Sequence, residues 1–231
     1  MEDKTQAPLI QATGLQKIFP GPEASFELFH DISLTIHPHE TISCVGRSGE
    51  GKSTLLHMLG GLEPPTTGSL FVLGKPIAEW PTETLRNSFF GFIFQSFHLL
   101  EEWDVLSNVL LPARIARKST SKRSFYGERA RSLIATVGLE HRTTTKTKWL
   151  SGGEKQRVAI ARALIMNPHI IFADEPTGNL DSISAAPVVE LLFEAVAREN
   201  AALFLVTHQS DLAAQCDRQY LLHHGTLELL H

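Results

Sequence analysis

The stretch that most constrains this chain is Gly46-Arg-Ser-Gly-Glu-Gly-Lys-Ser53, which fits GxxxxGK[ST]. It lies between the apolar run Thr41-Ile-Ser-Cys-Val45 and Thr54-Leu-Leu-His-Met-Leu59, which reads as the opening of a helix. A strand that turns through such a loop into a helix makes a phosphate cradle: glycines let backbone N–H groups point inward, and the helix N-terminus adds about half a positive charge. On this reading Gly46, Arg47, Ser48, Gly49, Glu50, Gly51, Lys52, Ser53 and Thr54 surround a polyphosphate. Lys52 is its point charge and the Ser53 hydroxyl a magnesium ligand, the plain alternative being an ordinary glycine-rich turn. Ile170 to Ala173 and Leu203 to Val206 are two more short apolar runs followed by polar residues, the pattern of strands buried on both faces of a parallel sheet. Val188, Leu191, Leu192, Ala195 and Val196 build one apolar helix face. Strands alternating with helices predict an α/β core.

Composition narrows the class. At 231 residues with 42% hydrophobic and 20% charged residues, the chain is globular and neither collagen-like, disulfide-dense nor broadly disordered. A formal charge of −4 supplies no basic field, so nucleic acid is not an expected partner. Cys44 and Cys216 stand in no CxxC or metal spacing and read as small buried thiols. His37/His39 and His223-His224 have no third ligand nearby, which argues against metal binding. Met1 to Pro8 shows no basic start followed by an apolar run, so no signal peptide is expected and the chain should stay in the cytosol. The richest apolar windows, Leu55 to Leu62 and Val158 to Ile165, fall short of the ~18–20 residues a spanning helix needs, so a membrane role requires a partner. Pro112 to Lys148 is rich in Arg, Lys, Ser and Thr, yet Ala130, Leu133, Ile134 and Val137 keep helical spacing. This predicts an inserted helical region whose basic residues form a solvated or partner-binding face.

Two further constellations carry chemistry. Asp174-Glu175 closes the run Ile170 to Ala173, at the strand end where parallel sheets bind ligands. Asp174 suits a magnesium shell and Glu175 a base that aligns or deprotonates water. Leu150-Ser-Gly-Gly-Glu-Lys-Gln-Arg157 precedes an expected helix from Glu154 to Met166 and makes a second glycine-rich anion site. One nucleotide hardly needs two such sites, but two chains head to tail would place each Ser151-Gly-Gly over the other's γ-phosphate.

With these motifs the chain resembles the ATP-binding subunits of ABC transporters from about residue 9 to residue 229, LSGGEKQR being the most diagnostic piece. The resemblance implies a single domain over residues 1–231: a P-loop NTPase, RecA-like α/β core with an N-terminal antiparallel β subdomain and an inserted helical subdomain at about 96–160. It implies ATP and Mg²⁺ as ligands, with Glu175, His208 and Gln95 catalytic, and Ser53, Gln95 and Asp174 on the metal. Phe19 would stack on adenine, a core or turn aromatic being the alternative, and Ser151, Gly152, Gly153 and Gln156 would bind nucleotide. Asn179-Leu-Asp181 resembles the loop that couples the two sites of a dimer. Glu50 departs from the pattern, since a carboxylate beside a triphosphate is repulsive unless it points elsewhere.

Leu55 to Glu63, Phe97-His-Leu-Leu100 and Ala173 to Asp181 resemble the subgroup that includes LolD, MacB and FtsE cassettes, and the first of these is close to the LolD pattern. MacB carries its membrane segment in the same chain, so a separate LolD-like subunit is favoured, with MacB-like efflux and FtsE-like cell division as alternatives. The partners implied are a second cassette and two integral membrane subunits of the LolC and LolE kind, at the cytoplasmic face of a bacterial inner membrane. Phe97, Leu99, Leu100 and Trp103 beside Glu101, Glu102 and Asp104 are the expected docking face. Non-transport cassettes of DNA repair or translation are a different class, disfavoured because the stretch from Gln95 to Ser151 is too short for their coiled coils or zinc modules.

Overall fold

The computed structural model describes residues 7–21 and 24–231; Met1 to Gln6, part of the segment read for a leader, lie outside the described residues. Along the chain run β1 (Ile10–Phe19), β2 (Phe26–Ile36), β3 (Thr41–Val45), α1 (Lys52–Leu59), β4 (Thr67–Val72), β5 (Lys75–Pro76), α2 (Thr82–Thr84) and β6 (Phe90–Ile93). There follow α3 (Val105–Val109), α4 (Leu111–Ile115), α5 (Phe125–Thr136), α6 (Gly152–Leu164), β7 (Ile170–Asp174), α7 (Ser182–Arg198), β8 (Ala202–Val206), α8 (Ser210–Ala213), β9 (Arg218–His223) and β10 (Thr226–Leu229). The chain forms two compact units, one of residues 1–86 with 202–231 and the other of residues 87–201.

The first unit holds an antiparallel sheet of order β2-β1-β4-β5. Along β1, Ile10, Ala12 and Leu15 are buried while Gln11 and Thr13 face solvent, the period-two pattern of a half-covered sheet. The same unit contains β3 flanked by β8 and β9, both parallel to it, with β10 returning antiparallel along β9. Every residue of β8 is buried, and α1 packs on β8 as α8 does on β3, which accounts for the unbroken apolar runs. Cys44 and Cys216 are buried and free, and desolvation pushes each thiol up to about 12.

In the second unit β6 and β7 pair in parallel, with Phe92 opposite Phe172 and their rings stacked at 5.5 Å. The helix α6 is its hub, touching α3, α5, α7 and β6. From Val158 to Leu164 every residue of α6 is buried. The strands Thr41–Val45, Ile170–Asp174 and Ala202–Val206 fall where the apolar runs predict them. The helix read from Val188 onward starts at Ser182, because Asp181 caps it and Pro187 is accommodated inside. Among the described residues no helix is long and apolar enough to cross a membrane.

Candidate nucleotide site

In the first unit Cys44 of β3 lies opposite Val206 of β8, so the residues after both strands leave at one carboxyl-terminal edge. The phosphate loop follows β3; His208 follows β8 and is exposed. The N–H of Thr207 donates to Cys44 O at 3.2 Å and ties the two exits together.

Contacts dictate two of the loop glycines. A Cβ on Gly46 would lie 2.6 Å from Leu222 O, and one on Gly51 would lie 2.8 Å from both the Leu28 and Phe29 side chains. Gly51 also has φ 92°, a conformation that costs a glycine nothing. As Gly51 is the cap, α1 opens at Lys52 and not at Thr54. Lys52 is only 8% exposed, and its ammonium donates to Gly46 O at 2.9 Å and Arg47 O at 3.0 Å. An ammonium has three donors, so two brace the loop and a third remains for an anion. Arg47, Ser48 and Gly49 are exposed, while Ser53 and Thr54 are half-buried.

The carboxylate of Glu50 accepts the His224 N–H at 3.0 Å, in the turn between β9 and β10. One oxygen of that carboxylate is thereby held by the turn. Phe19 ends β1, is 38% exposed and has the Lys17 ammonium 4.9 Å from its ring centroid. Lys17 is itself buried, paired with Glu63 and donating to Pro64 O at 2.9 Å.

In the second unit Ile93 of β6 lies opposite Ala173 of β7, so Gln95 and Asp174-Glu175 emerge at one edge. Asp174 is the last residue of its strand, half-buried, and Glu175 follows at φ 44°, a left-handed conformation that costs a glutamate energy. Gln95 is linked twice to Asn179: its carbonyl accepts from Asn179 Nδ2 at 2.9 Å, and its Nε2 donates to Asn179 Oδ1 at 3.4 Å. A Cβ on Gly178 would lie 2.9 Å from Gln95 Nε2, so the bare backbone leaves room for the amide. Asp181 accepts the N–H groups of Ile183 at 3.1 Å and Ser184 at 3.0 Å, and the Ser184 hydroxyl at 2.8 Å. The Ser184 amide and hydroxyl lead in holding its carboxyl below the usual range.

Ser151 and Glu154 form a reciprocal cap: Ser151 Oγ accepts the Glu154 N–H at 3.3 Å, and Glu154 Oε2 accepts the Ser151 N–H at 2.8 Å. The helix therefore opens at Gly152, and both glycines lie in its first turn. A Cβ on Gly152 would approach Leu180 Cδ2 to 3.1 Å, and one on Gly153 would approach Ser184 Cβ to 3.6 Å, so the pair packs against the segment around Asp181. Gln156, expected to bind nucleotide, is wholly buried, and its amide nitrogen and oxygen have no hydrogen-bond partner. It offers no surface a nucleotide could touch here.

The expected docking residues Leu100 and Trp103 are 40% and 38% exposed. Their acidic rim is less free than the sequence implies. Glu102 pairs with Lys148 at 2.7 Å and Lys146 at 3.1 Å, and the hydrogen bond from Lys148 leads in lowering its pKa. Asp104 caps α3 by accepting the Ser107 N–H at 2.7 Å. Glu101 lines a pocket of about 460 Å³ with Phe97, His98, Leu99, Lys155 and Asn179.

Two residues that sequence reasoning missed shape this region. Arg162, 9% exposed on α6, donates to Phe97 O at 2.7 Å and His98 O at 2.5 Å, and burial pulls its guanidinium down to about 10. Asn108, fully buried, accepts the Leu100 N–H at 2.8 Å and donates to Leu100 O at 3.1 Å and Asp104 O at 3.0 Å. The signal for both is a polar residue inside an apolar helical run.

The profile of the ABC transporter family matches residues 29–178. The chain belongs to that family. This ABC cassette is 46% identical over 219 residues to the lipoprotein-releasing system ATP-binding protein LolD of Protochlamydia amoebophila, covering 95% of this chain and 96% of that one. It is 41% identical over 222 residues to LolD of Shewanella denitrificans, covering 95% and 94%. The dimeric structure of MJ0796, a bacterial ABC transporter cassette, superposes with a TM-score of 0.84 at 32% identity, covering 96% of this chain and 99% of that one. A dimeric post-hydrolysis state of MJ0796 bound to ADP and Pi superposes with a TM-score of 0.83. The family and fold that LSGGEKQR and the phosphate loop imply are borne out: the cassette is an ATP-binding ATPase of the ABC type.

Proposed function

We propose that this cassette is the ATP-hydrolysing subunit of a complex that releases lipoproteins from the bacterial inner membrane, bound at the cytoplasmic face to two integral membrane subunits of the LolC and LolE kind. The near-full-length likeness to two LolD proteins carries this reading. Two cassettes pair head to tail around two ATP molecules. The loop amides and the remaining Lys52 donor hold the β- and γ-phosphates, and Phe19 stacks on adenine. Ser151 and the Gly152-Gly153 amides of the second copy close over the γ-phosphate. Ser53 in the first unit and Gln95 and Asp174 in the second each offer an oxygen of the hard kind that Mg²⁺ takes, and that ion, when bound, would neutralise phosphate charge. Glu175 takes a proton from the attacking water while His208 steadies the γ-phosphate. The helical stretch 96–160 meets the membrane subunits through Phe97, Leu99, Leu100, Trp103 and Glu101.

Reconstitution tests this. Cassette and membrane subunits copurified from the native source should release a lipoprotein from proteoliposomes with ATP and not ADP. Copurification with an efflux or cell-division membrane protein, and no release, would overturn it.

A further inference from the structure

Ile183 and Trp149 are the two most exposed large apolar side chains of the second unit, at 86% and 72%. Trp149 precedes the Gly152-Gly153 pair by three residues in the chain, and Ile183 is the neighbour of Ser184, which packs beside Gly153. Trp149 ends a single 3₁₀ turn between fully buried Thr147 and buried Leu150, directly before the Ser151 cap. The Lys148 ammonium lies 5.4 Å from its ring centroid and is itself paired with Glu102 at 2.7 Å. Ile183 sits in the first turn of α7, capped by Asp181, beside the Ser184 whose Cβ is 3.6 Å from the position a Gly153 Cβ would take. Apolar side chains left in water on braced turns are anchors awaiting a partner: they lose little conformational freedom when covered, and such residues dominate interface energies.

We propose that Trp149 and Ile183 are the apolar anchors by which the cassette grips a second copy of itself, next to the segments that carry Gly152 and Gly153. The inference rests on the head-to-tail reading above, because Trp149 stands two residues before Ser151 and Ile183 is the chain neighbour of Ser184, which packs beside Gly153, the segment that reading sets against the other copy. The likeness to a dimeric cassette over 96% of the chain favours the same occupant. Neither side chain belongs to the nucleotide-holding set, so they serve association and leave ATP binding by one copy alone.

The test uses the full chain carrying Glu175→Gln, so that ATP is retained, and sedimentation velocity over a range of protein concentrations. Adding Trp149→Ala with Ile183→Ser should raise the dimer dissociation constant about ten-fold or more, the scale of losing a buried anchor. ATP binding by dilute monomer should stay as in the parent, and Trp149→Phe should restore much of the pairing. With Trp80 and Trp103 replaced by Phe, emission from the remaining Trp149 should shift to shorter wavelength with ATP and not with ADP. A parent that dimerises with ATP while the double variant dimerises equally well overturns the anchors alone. A parent that stays monomeric with ATP overturns the head-to-tail reading, and the anchors with it.

Discussion

Glu175 stands at φ 44°, a left-handed conformation that costs a glutamate energy, directly after a parallel strand at the edge where such sheets bind ligands. Glu175→Gln keeps the shape and removes the base. Hydrolysis should fall at least ~10²-fold with ATP binding preserved, measured as steady-state turnover beside equilibrium binding. Normal turnover would remove Glu175 from the mechanism. Glu50 separates tether from charge. If its bond to His224 fixes the loop, Glu50→Ala should raise the KM for ATP several-fold with little change in kcat, and Glu50→Gln should recover most of the loss. Tighter ATP binding in both variants would mean that repulsion, not tethering, is what Glu50 contributes. The sequence makes the Glu50 carboxylate conspicuous but hides its partner, which stands 174 residues away and offers only a backbone N–H. Gln95 and Asn179 are legible one by one; their double link arises only when β6 and β7 lie side by side.

At the scale of elements, the predicted start of α6 at Glu154 differs from its observed start at Gly152 because glycines weaken a periodicity reading, while the cap depends on Ser151 and Glu154 together. Burial would raise the Glu154 carboxyl, but the Ser151 N–H and hydroxyl, with Arg142 and Arg157, bring it below its ordinary value. A depressed native pKa adds stability above the unfolded value of about 4.3, and that stability is lost as pH falls through the native pKa. Glu154→Gln should therefore cost about 1 kcal/mol or less near neutrality, the scale of a helix cap, and the difference from wild type should vanish at acid pH. Thermal melts of both proteins from pH 7 downward check this; a gap that widens on acidification would reverse the sign. The buried strands were easy to read because runs such as Ile170 to Ala173 leave no polar face. Asp181 was harder: its motif suggests a coupling loop, while its carboxylate is occupied in capping α7.

At the scale of the molecule, a site shared between copies makes a distinctive prediction. Chains with Lys52→Ala mixed with chains carrying Ser151→Arg form pairs in which one site has both lesions and the other has neither. ATPase activity should reappear above that of either variant alone, and its absence where mixed pairs demonstrably form counts against sharing. The sequence motifs point to two anion sites, but not to how the chain divides, since residues 202–231 join residues 1–86 through contacts that span most of its length. The two cysteines both lie in the first unit and allow its opening to be watched over time. Alkylating reagents attack thiolates, and buried thiols that keep their protons up to about 12 are silent at neutral pH until the fold opens. Labelling is therefore a clock for opening events, and Cys44 stands directly ahead of the phosphate loop. If the closed form alone binds ATP and reclosing outpaces labelling, ATP at 100 times its Kd should slow alkylation of Cys44 about 100-fold, the equivalent of ~2.7 kcal/mol. Mass spectrometry of time-quenched samples would read it, and equal rates with and without ATP would mean that Cys44 becomes accessible without the loop letting go of its nucleotide.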